Sequence, residues 1–192
     1  MALLTGSNKI NTAVFISGTG SNLKSLIKFS KLKKSPITIG IVISNNPKSK
    51  GLKYAKINKI KKKVFNLNST LFEKKAINEL KKNNINLICL AGFMKILSKN
   101  FIKNFNGKIL NIHPSLLPKY KGLNTHVKAI KNKDKYSGCT VHFVNSKLDS
   151  GRIINQKKVR INKLDTPETL AKKILAQEHK LYPAAIMKLL NL

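Results

Sequence analysis

The stretch "LNIHPSLLPKYKGL", residues 110–123, ends an apolar run with an amide and an imidazole two residues apart. If this run is a strand, Asn111 and His113 share one face, because side chains alternate along a strand. Pro114 follows directly and Pro118 comes four residues later. Prolines restrict the backbone and cannot continue a hydrogen-bond ladder. We predict a strand that ends at His113 and presents two polar side chains to one site.

Other short apolar runs alternate with segments that have helical spacing. The predicted strands cover residues 12–17, 37–44, 63–68, 86–93 and 108–113. The intervening segments, residues 21–34, 51–61 and 70–84, carry apolar residues at steps of three and four. Most of the strands are too apolar to face water, which indicates a sheet covered on both faces. The pattern predicts an α/β fold with a mostly parallel, twisted, doubly wound sheet, whose ligands bind beyond the carboxyl ends of the strands.

The pattern changes after residue 125. Residues 126–132 read as a short helix, and residues 139–145 and 151–161 read as two strands. Their close spacing predicts an antiparallel C-terminal part. Thr166 is expected to cap a last helix that starts at Pro167. We expect Pro183 to kink or end that helix.

Composition limits the classes of protein that this chain can belong to. A length of 192 residues, 42% of them hydrophobic, predicts a single domain over residues 1–192. No apolar run approaches the roughly 18 to 20 residues that span a bilayer, and the N-terminal segment lacks the pattern of a signal peptide. A cytoplasmic protein without membrane contact is expected. Cys89 and Cys139 lie in separate apolar runs without a CxxC motif, so we predict two buried, reduced thiols.

The net charge is +31, from 38 basic and 7 acidic residues. Such a field attracts polyanions. However, Arg152 and Arg160 are the only arginines, and the lysines are spread along almost every predicted helix together with many Asn and Ile residues. A nucleic-acid module would cluster its basic residues and interleave aromatic side chains. Compositional drift is therefore the favoured interpretation, with nonspecific binding to nucleic acid at low salt and no specific recognition.

The segment "FISGTGSNLKSLI", residues 15–27, runs from a predicted strand through a glycine turn into a helix. Gly18 and Gly20 allow a tight turn, and the N–H groups that open the helix would face an anion such as a phosphate. The segment has no GK[ST] of a Walker motif, and Leu23 stands where a dinucleotide fingerprint has its third glycine. An ordinary glycine turn and a phosphate site are both compatible with it.

An amide donor and an imidazole on one strand face can stabilise the charge that develops on a carbonyl oxygen during acyl transfer. Asp149, in the turn between the last two strands, could reach His113, favour its protonated form or help to move protons. A structural histidine and an ordinary turn aspartate are the alternatives. His142 is interpreted as a histidine near the core whose ring nitrogens have hydrogen-bond partners there. For Glu178, a solvated charge on the last helix is the alternative to a role in the site.

Five motifs together resemble one known family. They are "FISGTGSNL", "LAGFMKILS", "NIHPSLLPKYKGL", "GCTVHFVNSKLDSG" and "QEHKLYP", in this order, over residues 12–183. The chain is thereby similar to the phosphoribosylglycinamide formyltransferases. The resemblance implies a Rossmann-like formyltransferase fold. It also implies transfer of a formyl group from 10-formyltetrahydrofolate to the amine of glycinamide ribonucleotide in purine biosynthesis.

The resemblance also implies site residues, with a phosphate-binding half at about 12–110 and a catalytic and folate-binding half at about 111–192. The catalytic set would be Asn111, His113 and Asp149. The ribonucleotide would be held by Gly20, Ser21, Asn22 and Glu178. The folate pocket would be lined by Phe93, Met94, Lys95, Ile96 and Leu97, together with Asn111. No metal and no covalent enzyme intermediate are implied. The expected partners are the two small-molecule substrates, without specific nucleic acid or membrane, and a monomer or homodimer is expected.

Two other functions are compatible with parts of this pattern. Methionyl-tRNA formyltransferase shares the Asn, His and Asp set and an SLLP segment, but it carries a separate C-terminal RNA-binding domain that is not expected here. A nonenzymatic nucleotide-binding or RNA-binding protein could have the same fold. It would not need Asn111, His113 and Asp149 together. An arginine that is usual in the family is replaced near Ser69 and Thr70, so the folate contacts are expected to differ.

Overall fold

The computed structural model describes residues 9–191 and contains a seven-stranded sheet in the order β3-β2-β1-β4-β5-β6-β7. The strands are β1 Ile10–Ile16, β2 Ile37–Ser44, β3 Lys61–Val64, β4 Leu87–Leu90, β5 Lys108–His113, β6 Tyr136–Phe143 and β7 Ile153–Arg160. The pairs among β1 to β5 are parallel, whereas β6 pairs antiparallel with β5 and β7. The predicted fold class, with its antiparallel C-terminal part, is confirmed.

Six helices connect the strands in the described part of the chain. They are α1 Ser21–Ser30, α2 Leu52–Ile57, α3 Ser69–Lys82, α4 Lys99–Asn104, α5 Thr125–Lys131 and α6 Pro167–Leu189. The alternation of side chains in β1 divides them into two layers. Val14 and Ile16 pack with α1 and α6, while Ala13 and Phe15 pack with α3 and α4. Helices therefore cover both faces of the sheet, as the apolar strands predict.

Strand β3 begins two residues and ends four residues before the predicted strand at 63–68, which was therefore wrong at both ends. Its lysines are accommodated because β3 is an edge strand, and Lys61 pairs with Glu79 on α3 at 3.1 Å. The chain leaves the sheet after Val64 because Asn68 is needed as the N-cap of α3. Its side chain accepts a hydrogen bond from the Leu71 N–H at 2.9 Å.

Helix α4 has no counterpart among the predicted helices. It has six residues, too few for a clear apolar periodicity. A cap defines its start, because the Ser98 hydroxyl accepts from the Phe101 N–H at 3.0 Å. Glu73 on α3 fixes this cap by accepting from the Ser98 N–H at 2.7 Å and from its hydroxyl at 2.6 Å.

Helix α6 begins as predicted, with the Thr166 side chain as its cap and Pro167 in its first turn. Of the two expectations for Pro183, an end of the helix is wrong because α6 continues to Leu189, and a kink stays a prediction. Proline removes the N–H that would bond to the carbonyl four residues earlier, which belongs to His179. The Ser25 hydroxyl on α1 donates to that carbonyl at 2.8 Å and replaces the missing partner.

Cys89 and Cys139 are both buried free thiols, as predicted. Burial raises the pKa of each thiol to about 12, so neither is a reactive thiolate near neutral pH. Within residues 9–191, no helix has the length and apolarity needed to cross a membrane.

The hydrogen bond from the Ser25 hydroxyl to the His179 carbonyl predicts a measurable change in the free energy of unfolding. Ser25→Ala should lower the free energy of unfolding by about 1 kcal/mol, because it leaves the His179 carbonyl without a donor. In a Pro183→Ala background the backbone N–H is restored, so the same change should cost less. Urea unfolding of the wild type, the two single variants and the double variant measures both costs.

Ser30→Ala is the matched control on the same helix, since that hydroxyl bonds only within its own turn, to Ile27 O. An equal cost of Ser25→Ala with and without Pro183 would contradict the explanation.

Candidate active site

A cavity of about 1190 Å³ opens beyond the carboxyl ends of β1, β4 and β5, where the fold predicts a ligand site. Pockets for one small ligand usually measure about 300 to 1,000 Å³. All twelve residues that the sequence assigns to the site line this cavity, namely Gly20, Ser21, Asn22, Phe93, Met94, Lys95, Ile96, Leu97, Asn111, His113, Asp149 and Glu178. The structure therefore brings them together, in a space large enough for more than one small molecule.

The Asp149 carboxylate is the centre of a polar cluster on one wall of the cavity. Its Oδ2 atom accepts from the Gly122 N–H at 2.9 Å and lies 3.3 Å from His113 Nδ1. Its Oδ1 atom lies 3.4 Å from Asn111 Nδ2 and 3.6 Å from His142 Nε2. With 8% of its side chain exposed, Asp149 is almost enclosed by these groups.

Asn111 and His113 share one face of β5, as the alternation of side chains predicts, and both line the cavity. His113 Nε2 lies 2.8 Å from the Tyr120 carbonyl oxygen. Because a carbonyl only accepts, Nε2 carries a proton, and Nδ1 faces Asp149. Both ring nitrogens therefore point at oxygen acceptors.

Burial is the largest influence on the pKa of His113 and lowers it, against the Tyr120 carbonyl and the charge of Asp149. Asp149 thus favours the protonated form of His113, as expected, but burial outweighs its effect on the pKa. Burial alone would raise the pKa of Asp149, but the imidazole of His142, the hydrogen bond from Gly122 and the imidazole of His113 lower it. Asp149 is thus an ionised acceptor beside an imidazole that can take a second proton without moving.

His142 belongs to this cluster, although the sequence favoured a core position. It is 2% exposed, and its Nε2 atom lies 3.3 Å from Asn111 Nδ2. Its Nδ1 atom is fixed by the carbonyl of Phe143 at 2.8 Å. The antiparallel register pairs His142 with Asn111. That pairing is the signal that could have identified it, but it requires the strand register.

The glycine turn places an uncapped helix end at the cavity. Gly20 has a φ of 75°, and a Cβ there would collide with the Cα of Gly51. The turn is held by the Gly51 N–H and the Ser49 hydroxyl, which both donate to Gly18 O, at 3.0 and 2.8 Å. No side chain among residues 9–191 caps α1. The first N–H groups of the helix are therefore available to an anion.

Glu178 is buried rather than solvated, with 7% of its surface exposed. Its Oε2 atom accepts from Asn22 Nδ2 at 2.7 Å. Burial raises the pKa of Glu178, and the hydrogen bond from Asn22 acts against this. Asn22 Oδ1 is buried and has no hydrogen-bond partner in the described part of the chain.

The segment 93–97 forms an apolar rim. Met94 and Ile96 are 68% and 69% exposed, and Leu123 on the opposite loop is 71% exposed. The segment is tied to β1 by Ser17, whose hydroxyl accepts from the Met94 N–H at 2.8 Å. Exposed apolar side chains around a cavity are typical of a surface that receives a flat, apolar ligand.

A sequence model of the family described as formyl transferase matches residues 10–186. The chain therefore belongs to the formyl transferase family, the class of enzyme that its fold and site define. Phosphoribosylglycinamide formyltransferase of Haemophilus influenzae is 45% identical over 178 residues, which are 91% of this chain and 84% of that protein. The chain is thus similar to phosphoribosylglycinamide formyltransferase over most of its length, and not only in the five motifs.

The structure of phosphoribosylglycinamide formyltransferase from Brucella melitensis superposes with a TM-score of 0.90 at 40% identity, covering 95% of this chain and 96% of that one. The human trifunctional purine biosynthetic protein adenosine-3 is 44% identical over 182 residues. Those residues are 93% of this chain but 18% of the human protein, so the chain spans under a fifth of that relative.

The buried Glu178 predicts a pH-dependent stability difference. The folded protein holds the Glu178 pKa above its ordinary value of 4.5, so the carboxylate form opposes folding increasingly as pH rises above that value. Glu178→Gln keeps an acceptor for Asn22 and removes this cost. The variant should therefore be more stable than the wild type at pH 8, with a difference that shrinks toward pH 5. Thermal unfolding across this range measures it, and a variant less stable at pH 8 would contradict the burial argument.

Proposed function

We propose that this chain transfers the formyl group of 10-formyltetrahydrofolate to the amine of N1-(5-phospho-D-ribosyl)glycinamide, a step of purine biosynthesis. The observation that carries the proposal is the convergence of Asn111, His113 and Asp149 on one wall of a cavity that also holds an uncapped helix end. The relatives named phosphoribosylglycinamide formyltransferase support it, because their similarity covers nearly the whole chain.

The ribonucleotide substrate would bind along the side of the cavity formed by α1 and α6. The N–H groups of Ser21 and Asn22, after the turn at Gly20, would hold its phosphate at the positive end of the helix dipole. The Glu178 carboxylate would accept hydrogen bonds from the glycinamide amine and amide. Glu178 would thus distinguish the nitrogen-bearing end of the substrate from its phosphate end.

The folate substrate would occupy the other side of the cavity. Met94, Ile96 and Leu123 provide the exposed apolar rim for its ring system, and the backbone of segment 93–97 provides polar contacts. Lys95 lines the cavity and donates to Leu67 O at 2.8 Å, so a cation lies beside this segment. A cavity of about 1190 Å³ can hold both substrates with their reacting atoms adjacent.

The polar cluster has groups for each step of a direct transfer. When the amine attacks the formyl carbon, the carbonyl oxygen gains negative charge and needs donors, and Asn111 Nδ2 would supply one. The attacking nitrogen must lose a proton, and the leaving folate nitrogen must gain one. His113 Nδ1 would accept the amine proton 3.3 Å from the ionised Asp149, and the protonated His113 would then be a charged donor beside the oxyanion until water carries its proton to the leaving nitrogen.

The proposal is tested by formyl transfer between the two substrates, followed by absorbance. The wild type should turn over, and His113→Ala should lose about 10²- to 10³-fold in kcat, because it removes both a donor and a proton carrier. His179→Ala is the matched control, since His179 does not line the cavity. A folded wild type without turnover at saturating concentrations of both substrates would contradict the proposal.

A further inference from the structure

Tyr120 has an unusual backbone conformation next to the candidate site. Its φ is 55°, in the left-handed region that bulky residues with a Cβ rarely adopt. A residue stays in such a conformation only where its surroundings hold it there. The surroundings of Tyr120 therefore show what this conformation serves.

The Tyr120 side chain is held by a separate polar cluster behind the cavity wall. Its hydroxyl donates to Asp134 Oδ2 at 2.8 Å and accepts from Asn132 Nδ2 at 2.8 Å. Lys119 Nζ lies 5.0 Å from the centre of the ring and 2.6 Å from Asp134 Oδ1. The carboxylate is nearly enclosed, with 12% of its side chain exposed. Asp134 thus anchors the ring from the loop that leads into β6.

The backbone of the same segment contacts the candidate catalytic side chains. The Tyr120 carbonyl lies 2.8 Å from His113 Nε2, and the Gly122 N–H, two residues later, donates to Asp149 at 2.9 Å. The carbonyl determines which ring nitrogen carries the proton, and therefore directs Nδ1 toward Asp149. Neither Tyr120 nor Asp134 lines the cavity. Both would act on the reaction through His113 without touching a substrate.

We propose that Tyr120 and Asp134 are positioning residues for His113. The bond between their side chains keeps Tyr120 in the left-handed conformation and thereby keeps its carbonyl on His113 Nε2. Without that bond the segment relaxes, and the imidazole loses its fixed proton arrangement and orientation. This inference rests on the proposed catalytic role of His113.

The test uses Tyr120→Phe, which removes the hydroxyl and keeps the ring, and Asp134→Asn, which removes the charge. Each should lower kcat for formyl transfer about tenfold, because small displacements of a catalytic group are costly. The KM of each substrate should stay within about twofold, since neither residue lines the cavity. Asp165→Asn is the matched control, because Asp165 pairs with Lys173 at 2.7 Å outside the cavity. It should leave kcat unchanged.

A double-mutant cycle with His113→Ala shows whether the effect passes through His113. Tyr120→Phe should cause no further loss in the His113→Ala background. A tenfold loss in both backgrounds would overturn the inference, as would wild-type kcat in Tyr120→Phe. If Asp134→Asn does not fold, Tyr120→Phe decides alone.

Failure of the proposed function gives a different result, because the wild type itself then shows no formyl transfer. If only the catalytic role of His113 fails, the wild type turns over and His113→Ala retains full activity, whatever the Tyr120 variants do. If His113→Ala loses activity while the folded Tyr120→Phe and Asp134→Asn proteins keep theirs, the role of His113 stands and the positioning role fails.

Discussion

The hydrogen bond from the Gly122 N–H to the Asp149 carboxylate joins two segments that are distant in the chain, and the geometry of the polar cluster depends on it. It ties the loop after β5 to the turn between β6 and β7. Asp149 has a φ of 44° and Gly122 has a φ of 74°, so both residues of this contact have a positive φ. The contact lowers the pKa of the carboxylate, although burial acts in the opposite direction. Asp149 can therefore remain ionised beside His113 in a nearly enclosed position.

The charge of the chain is consistent with this account of the site. All seven acidic residues have a defined partner in the structure. Glu73 holds a helix cap, Glu79, Asp134 and Asp165 pair with lysines, Glu168 accepts from a capping threonine, Glu178 binds Asn22, and Asp149 lies in the site. Each carboxylate thus has a hydrogen-bond or ion-pair partner in the fold or in the site. Compositional drift as the origin of the lysine excess stays a prediction.

Much of the fold and the site could be predicted from sequence, because strong local patterns carry them. Strands β2 and β5 have the predicted bounds, and Asn111 and His113 share a face because alternation is a local property. The sequence does not reach features that a distant residue decides. Pro183 stays inside a helix because Ser25 replaces its hydrogen bond, and the buried His142 also joins the site through its pairing with Asn111. The pKa of His113 depends on burial, which no local pattern reports.

We propose that an ionised Asp149, fixed by Gly122, is required for the chemistry and not only for the fold. The most direct measurement is kcat/KM for formyl transfer by Asp149→Asn, combined with its melting temperature. Asparagine keeps an acceptor for Gly122 and removes the charge. The account predicts a melting temperature near that of the wild type and a loss of about 10²- to 10³-fold in kcat/KM. Activity within a few-fold of the wild type would contradict it.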